Sequence, residues 1–259
     1  MSVGTVRLRA LLASAALVAT SVSSPAYAYR PFDGTDAEVA DEGELEVEVG
    51  ALGLTRLSRA TTAYTPSLVV NAGIAHSWEL VLEGRPILSL SGKTSDLDAP
   101  FRVVDTGAFL KRVVREGALQ GASGPSLAVE LGTLLPELHD DSRLGSSAAL
   151  IASEHLATFT THLNLAGART RDGGTKSFVG LIVEAPQSWR ARPVLELATE
   201  AESGAAAPRS WSALEGVIVH VTADVTADFA TRLVRVGDGT IEEVRAGLTC
   251  TLGVGASPQ

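Results

Sequence analysis

Between Glu44 and Val49 the chain reads Glu-Leu-Glu-Val-Glu-Val, with an acid at every second position and an aliphatic side chain between. In a strand the three carboxylates share one face and the three apolar side chains share the other, whereas a helix would fan the carboxylates over about 200°. The same period of two returns at Trp78–Arg85, where Glu79, Glu83 and Arg85 oppose Trp78, Leu80 and Leu82. In Pro193–Glu200, Glu196 and Glu200 lie opposite Leu195 and Leu197. Near the end, Val244, Ala246, Leu248, Cys250 and Leu252 alternate with Glu243, Arg245, Gly247, Thr249 and Thr251. A chain built this way folds into strands with one wet face and one apolar face.

The pattern predicts strands at about 44–57, 61–75, 77–90, 105–115, 123–135, 146–157, 158–170, 176–186, 192–202, 210–222, 227–236 and 241–254. Residues 105–115, with Phe109, Arg112 and Val113, fit a short amphipathic helix as well as a strand. Reading them as a strand gives twelve, and an antiparallel barrel with both termini on one side needs an even number. The long polar links Ser91–Val104 and Pro136–Gly145 then fall at the end where outer loops belong. Trp78 and Trp189 fall at the opposite, periplasmic turns, as members of an aromatic girdle would.

The first 28 residues supply the compartment. Arg7 and Arg9 form a basic start, Ala10–Thr20 is an apolar run too short to span a bilayer, and Ala26-Tyr27-Ala28 offers a cleavage site. We expect residues 1–28 to be a signal peptide, 29–43 a polar extension that is flexible or plug-like, 44–254 a β-barrel, and 255–259 a tail. Removing the leader's two arginines takes the net charge from −9 to −11. Such acidity excludes nucleic acid as a partner. Cys250 is the only cysteine, so the exported chain has no intrachain disulfide. Mean hydropathy is +0.20, yet no stretch after the leader reaches the roughly 18 consecutive apolar residues of a membrane helix.

Alternation alone does not say which face is inside. A soluble barrel or sandwich buries its apolar face, whereas an outer-membrane barrel turns that face to lipid. The expected strands have the length that a tilted membrane strand needs. Their polar faces carry enough charge for a hydrated interior. Both observations favour an all-β, antiparallel, up-and-down transmembrane barrel of about 12 strands. Aromatic residues at 5% of the chain are a thin supply for two girdles.

Several segments also look familiar: Arg30-Pro31-Phe32-Asp33-Gly34-Thr35-Asp36-Ala37, Trp78–Gly84, Phe109-Leu110-Lys111 with Arg115-Glu116-Gly117 and Leu119-Gln120, and Gly124-Pro125-Ser126 with Leu134-Leu135-Pro136. In that order, over about residues 30–254, the chain resembles the bacterial outer-membrane β-barrel transporter family named after the meta-pathway of phenol degradation. The resemblance implies an outer-membrane channel passing small, often aromatic or hydrophobic molecules. It also supports 105–115 as a strand. The chain departs from most such barrels in ending Gly255-Ala256-Ser257-Pro258-Gln259, without the terminal aromatic residue that the barrel-assembly machinery reads.

The side chains expected to line the lumen are Glu44, Glu46, Glu48, Glu79, Glu83, Arg85, Glu130, Glu196 and Arg245. Ringing an open path they would favour cations; paired across the barrel, with Arg232 or Lys111 joining, they would fill it. Arg85 is expected to face inward and bond a carboxylate, with Glu130 and Glu48 the named partners. None of the five histidines has metal-motif spacing, and the loop at His139-Asp140-Asp141 reads as solvated acid. His162 shares its face with Thr160 and Asn164 and with no serine of nucleophile context, and G-x-S-x-G is absent. Cys250 falls on the apolar face as an inert thiol. No cofactor, metal or catalytic residue is expected. The expected function is passive diffusion of a small-molecule solute across the outer membrane. The partners are outer-membrane lipid and the barrel-assembly machinery. The alternatives are a non-conducting structural or surface-interaction barrel and a soluble periplasmic barrel holding an apolar ligand.

Fractionated cells should therefore carry the protein in the outer membrane, running faster on a gel unboiled than boiled. Recovery with the soluble periplasmic fraction would hand the chain to the soluble barrel.

Overall fold

The computed structural model describes residues 30–57, 61–91, 101–203 and 209–254. The expected leader at 1–28 and tail at 255–259 lie outside the described residues. Strands run in chain order as β1 (Glu44–Arg56), β2 (Thr62–Tyr64), β3 (Ser67–Ala75), β4 (Trp78–Ser91), β5 (Phe101–Arg115), β6 (Ser126–Leu134), β7 (Gly145–Leu156), β8 (Phe159–Arg169), β9 (Thr175–Glu184), β10 (Ala191–Glu202), β11 (Ser210–His220), β12 (Val225–Val236) and β13 (Gly239–Gly253). Each strand pairs antiparallel with its neighbour, and β13 returns to pair with β1, from Glu44 opposite Gly253 to Arg56 opposite Glu242. β2 and β3 both lie between β1 and β4, so they form one stave and the closed barrel has twelve. Closure leaves no edge strand with open backbone groups, the condition for standing in lipid.

The expected strands agree with this count, with two differences. The stave expected at 61–75 is broken at Thr65-Pro66, because proline has no N–H to give a ladder. The link expected to run to Val104 ends sooner. Phe101–Val104 continue β5 and pair with Arg85–Leu88, extending the apolar outer face by Phe101 and Val103.

Sidedness follows from which residues are covered. In β1, Glu46 and Glu48 are buried while Val49 is exposed. In β4, Glu79 is fully buried while Leu80 and Leu82 are exposed. Leu163, Leu165, Leu181, Leu195, Leu197 and Leu248 are likewise exposed on the outer wall. The outer face is therefore apolar and most charged side chains point inward, beside buried Ile151, Ile182, Leu214 and Ile218, the reverse of a soluble barrel. Glu215 is an exception: it sits mid-strand in β11 on the exposed face, within 3.5 Å of Thr231.

The ends of the barrel differ. The links joining β3 to β4, β7 to β8 and β11 to β12 lie at the same end as Glu44 and Gly253 and are short, the first being the two residues His76-Ser77. That end carries Trp78, stacked 4.8 Å from the Arg112 guanidinium, and Trp189. Residues 30–42, the segment before β1, run inside the barrel. Ala37 packs there against Ala128 and Ile151, all three fully buried.

Because Leu82 stands on the outer face halfway along a long strand, Leu82→Arg should cost about 2–4 kcal/mol of stability in lipid. Urea titration of the barrel folded in vesicles measures it, and a cost under about 0.5 kcal/mol would mean that this face does not meet hydrocarbon.

Candidate functional site

A barrel of twelve staves leaves a lumen that side chains alone do not fill. Here the chain fills part of it with its own N-terminal segment. That segment has no strand partner of its own, so its backbone groups need acceptors from the wall. Glu196 of β10 accepts from two successive amides, Asp33 N–H at 2.9 Å and Gly34 N–H at 2.7 Å. Asn164 of β8 both accepts from Thr35 N–H (3.0 Å) and donates to Thr35 O (2.8 Å). Ser153 of β7 accepts from Ala37 N–H at 2.9 Å, and Glu79 of β4 accepts from Ala40 N–H at 2.7 Å. Gln120, in the link after β5, donates to Ala37 O.

Charge pairs secure the same segment. Arg30 lies 3.2 Å from Asp228 of β12 and donates to Ser67 of β3. Asp33 sits between Arg245 (2.9 Å) and Arg232 (2.5 Å), and Arg245 also donates to Pro31 O. Lys111, fully buried on β5, is 3.7 Å from Asp36 and 3.9 Å from Glu79. Wall glycines make the room. A Cβ on Gly73 would stand 1.9 Å from Asp41 O, and one on Gly50 or Gly247 would strike the Arg30 guanidinium at 2.3 or 2.5 Å.

Above the segment lies a cavity of about 620 Å³. Arg30–Thr35 form its floor, and Glu48, Glu83, Arg85, Glu130, Arg232 and Glu243 are among its walls. One side gathers charge: Glu243 lies 2.7 Å from Arg245, 3.5 Å from Arg232 and 3.9 Å from Arg85. The other side carries Phe109, Phe178, Leu134, Ala149 and Ala166.

The expected lumen residues separate into three groups. Glu48, Glu79, Glu83, Arg85, Glu130 and Arg245 meet around this cavity. Glu46 and Glu196 are buried in the wall outside it, Glu196 under the segment and Glu46 within 3.4 Å of Thr251. Glu44 stands half-buried at the rim, where β1 begins. Arg85 does face the cavity, but its partners are Asp105 and Glu243, not Glu130 or Glu48. Glu48 is instead held by the Asn71 amide at 2.9 Å. The cause is a register shift between Glu83 and Arg85, where Asp105 takes a left-handed backbone (φ 50°) and turns its carboxylate to the guanidinium.

The serine not foreseen beside His162 is Ser153, directly opposite it across the β7–β8 ladder. Ser153 Oγ accepts from Ala37 N–H and shares a hydrogen bond of 2.8 Å with His162 Nδ1. His162 Nε2 is 3.5 Å from Glu184, which pairs with Arg192 at 3.1 Å. All four are buried, so this Ser-His-Glu row supports the segment from below and does not open on the cavity.

No family model and no curated relative matches the chain. Solved structures do. An outer-membrane channel from Pseudomonas putida F1 aligns over 85% of this chain and 100% of its own, with 11% identity and a TM-score of 0.64. The NanC porin aligns over 80% of this chain and all of its own, with 11% identity and a TM-score of 0.59. The fold is that of outer-membrane barrels.

Two carboxyls of the inserted segment respond oppositely to pH. Burial alone would raise Asp33, but Arg245 and Arg232 outweigh it and hold the group at about 2. Glu38 is pushed up to about 8 by burial and by the Asp36 carboxylate. A lowered group stabilises docking above its ordinary value and loses that contribution as pH falls toward 2. A raised group stabilises it at low pH and loses the contribution as pH rises from 4.5 through 8. A nitroxide on a cysteine at Val39, with Cys250 replaced by serine, should therefore be more mobile at pH 9 than at pH 5, and Glu38→Gln should remove the difference. Equal mobility at both pH values in the Glu38 protein would refute this account of docking.

Proposed function

We propose that the chain is a passive outer-membrane channel for small molecules, with its lower half narrowed by residues 30–42. The observation that carries this reading is the cavity of about 620 Å³ inside a closed barrel whose outer face is apolar. Solutes would reach it from the end of the long links and meet alternate strand residues, with selectivity set by the Glu/Arg balance. Of the nine residues from Glu44 to Arg245 named from the sequence, the six around the cavity would line this path, and Glu83 and Glu130 would act on a permeating ion. The two aligned channels, similar in fold, support the reading. The resemblance to the meta-pathway transporter family, together with Phe32, Phe109 and Phe178 around the cavity, favours small aromatic or hydrophobic solutes.

The firm grip on the inserted segment favours a second reading, a barrel that does not conduct. In planar bilayers the full chain should give small, cation-preferring conductance, and deletion of residues 30–41 should enlarge it. Glu83→Gln with Glu130→Gln should lower the cation preference by about twofold. If neither the full chain nor the deletion variant conducts while both remain folded by heat-modified mobility, the structural reading replaces the channel.

A further inference from the structure

The stave formed by β2 and β3 keeps one register against β4 on both sides of its break. Tyr64 lies opposite Leu88 and Leu68 lies opposite Gly84. Counting inward from these two pairs brings Pro66 opposite Pro86, so two residues without an N–H face each other across the ladder. The three pairs from Thr65–Ser67 to Arg85–Ile87 are missing from the pairing. On its other side the same stave meets a bulge, because β1 has one residue too many between Gly50, opposite Ser67, and Leu54, opposite Tyr64. Thr65 N–H bonds Gly53 O there. Proline is ordinarily confined to the edge of a sheet. A closed barrel has no edge, so a facing pair makes a local one.

The break stands at a telling height. Ser67, at its lower end, receives the bond from Arg30 in the cavity floor. Ser67, Thr65, Gly84 and Arg85 all line the cavity. The axial path is therefore narrowed at the level where the wall is unzipped. Outside, the break is framed by exposed Leu52 beside it, Leu68 and Leu82 below and Leu90 and Phe101 above, so it opens on hydrocarbon. Gly84, facing Leu68 on the outer side, puts no side chain in the way.

Resting on the channel reading above, we propose that the seam between Pro66 and Pro86 is a lateral port, through which an apolar solute in the cavity passes between the strands into the bilayer. The class it suits is a neutral, flat, ring-sized molecule. Such a molecule rests on Phe109 and Phe178 and gains by entering lipid, whereas a hydrated ion has no reason to leave the lumen. Ions and apolar solutes then take different ways out of one cavity.

The test staples the seam. Directly opposed strand residues have Cα atoms about 4.5–5.5 Å apart, within the span of a disulfide. Pro66→Cys with Pro86→Cys, in a Cys250→Ser background, closes the seam under oxidation and releases it with dithiothreitol. Two quantities are read: the rate at which N-phenyl-1-naphthylamine brightens when added to intact Gram-negative cells carrying the protein, and ion conductance in planar bilayers. The oxidised form should slow probe entry by about tenfold relative to its reduced form while conductance changes by less than about twofold. Pro66→Val with Pro86→Val, which restores two N–H donors, should slow probe entry without any oxidant. If probe entry is the same in oxidised and reduced forms while conductance persists, the port is disproved and the channel stands. If the unaltered protein neither conducts nor admits the probe, the channel reading and the port fall together.

Discussion

Four wall side chains, Glu196, Asn164, Ser153 and Glu79, accept backbone N–H groups from a segment that belongs to no sheet. The rest of the interior depends on this exchange. Carboxylates taken from water need donors, and amides outside a ladder need acceptors. The twelve-stave wall brings the first and the inserted segment brings the second, so each resolves the other's deficit. Arg245, Arg232 and Lys111 then neutralise two of the acids the segment carries in, Asp33 and Asp36. Without the segment, Glu196, Asn164, Ser153 and Glu79 would lose these donors. Without the wall the segment would have no structure to adopt.

This division explains what could be read from the chain. A period of two is written locally, so the faces of Glu44–Val49, Trp78–Arg85 and Val244–Leu252 were legible before any partner was known. The twelve staves followed from counting such stretches. Contacts across the lumen are written nowhere in particular. Asp33 and Glu196 are far apart in sequence and meet only when the barrel is closed, so the plug-like extension was legible as a composition but not as a docked segment. Arg85 shows how a correct face still yields a wrong partner. One shifted residue at Gly84 and one left-handed residue at Asp105 turned it from Glu130 and Glu48 to Asp105 and Glu243. Ser153 is not legible as the neighbour of His162, because only the β7–β8 register places it there.

The prolines illustrate the opposite case. Pro66 and Pro86 were each visible, and each alone is tolerable at a bend or beside a bulge. Only the shared register of β2, β3 and β4 sets one against the other. A pair of ordinary substitutions in two separate strands thus becomes a discontinuity in a wall that is elsewhere continuously bonded.

The seat of Arg30 has a consequence for how the molecule comes together. Gly50 belongs to β1, Gly247 to β13 and Asp228 to β12. The notch that receives the guanidinium is therefore made jointly by the first strand and the last two. It does not exist while the sheet is an open ribbon. The segment is thus locked in by the joining of β1 to β13, and the chronology of assembly is inscribed in its architecture: the earliest residues of the described chain reach their place when the latest strand arrives.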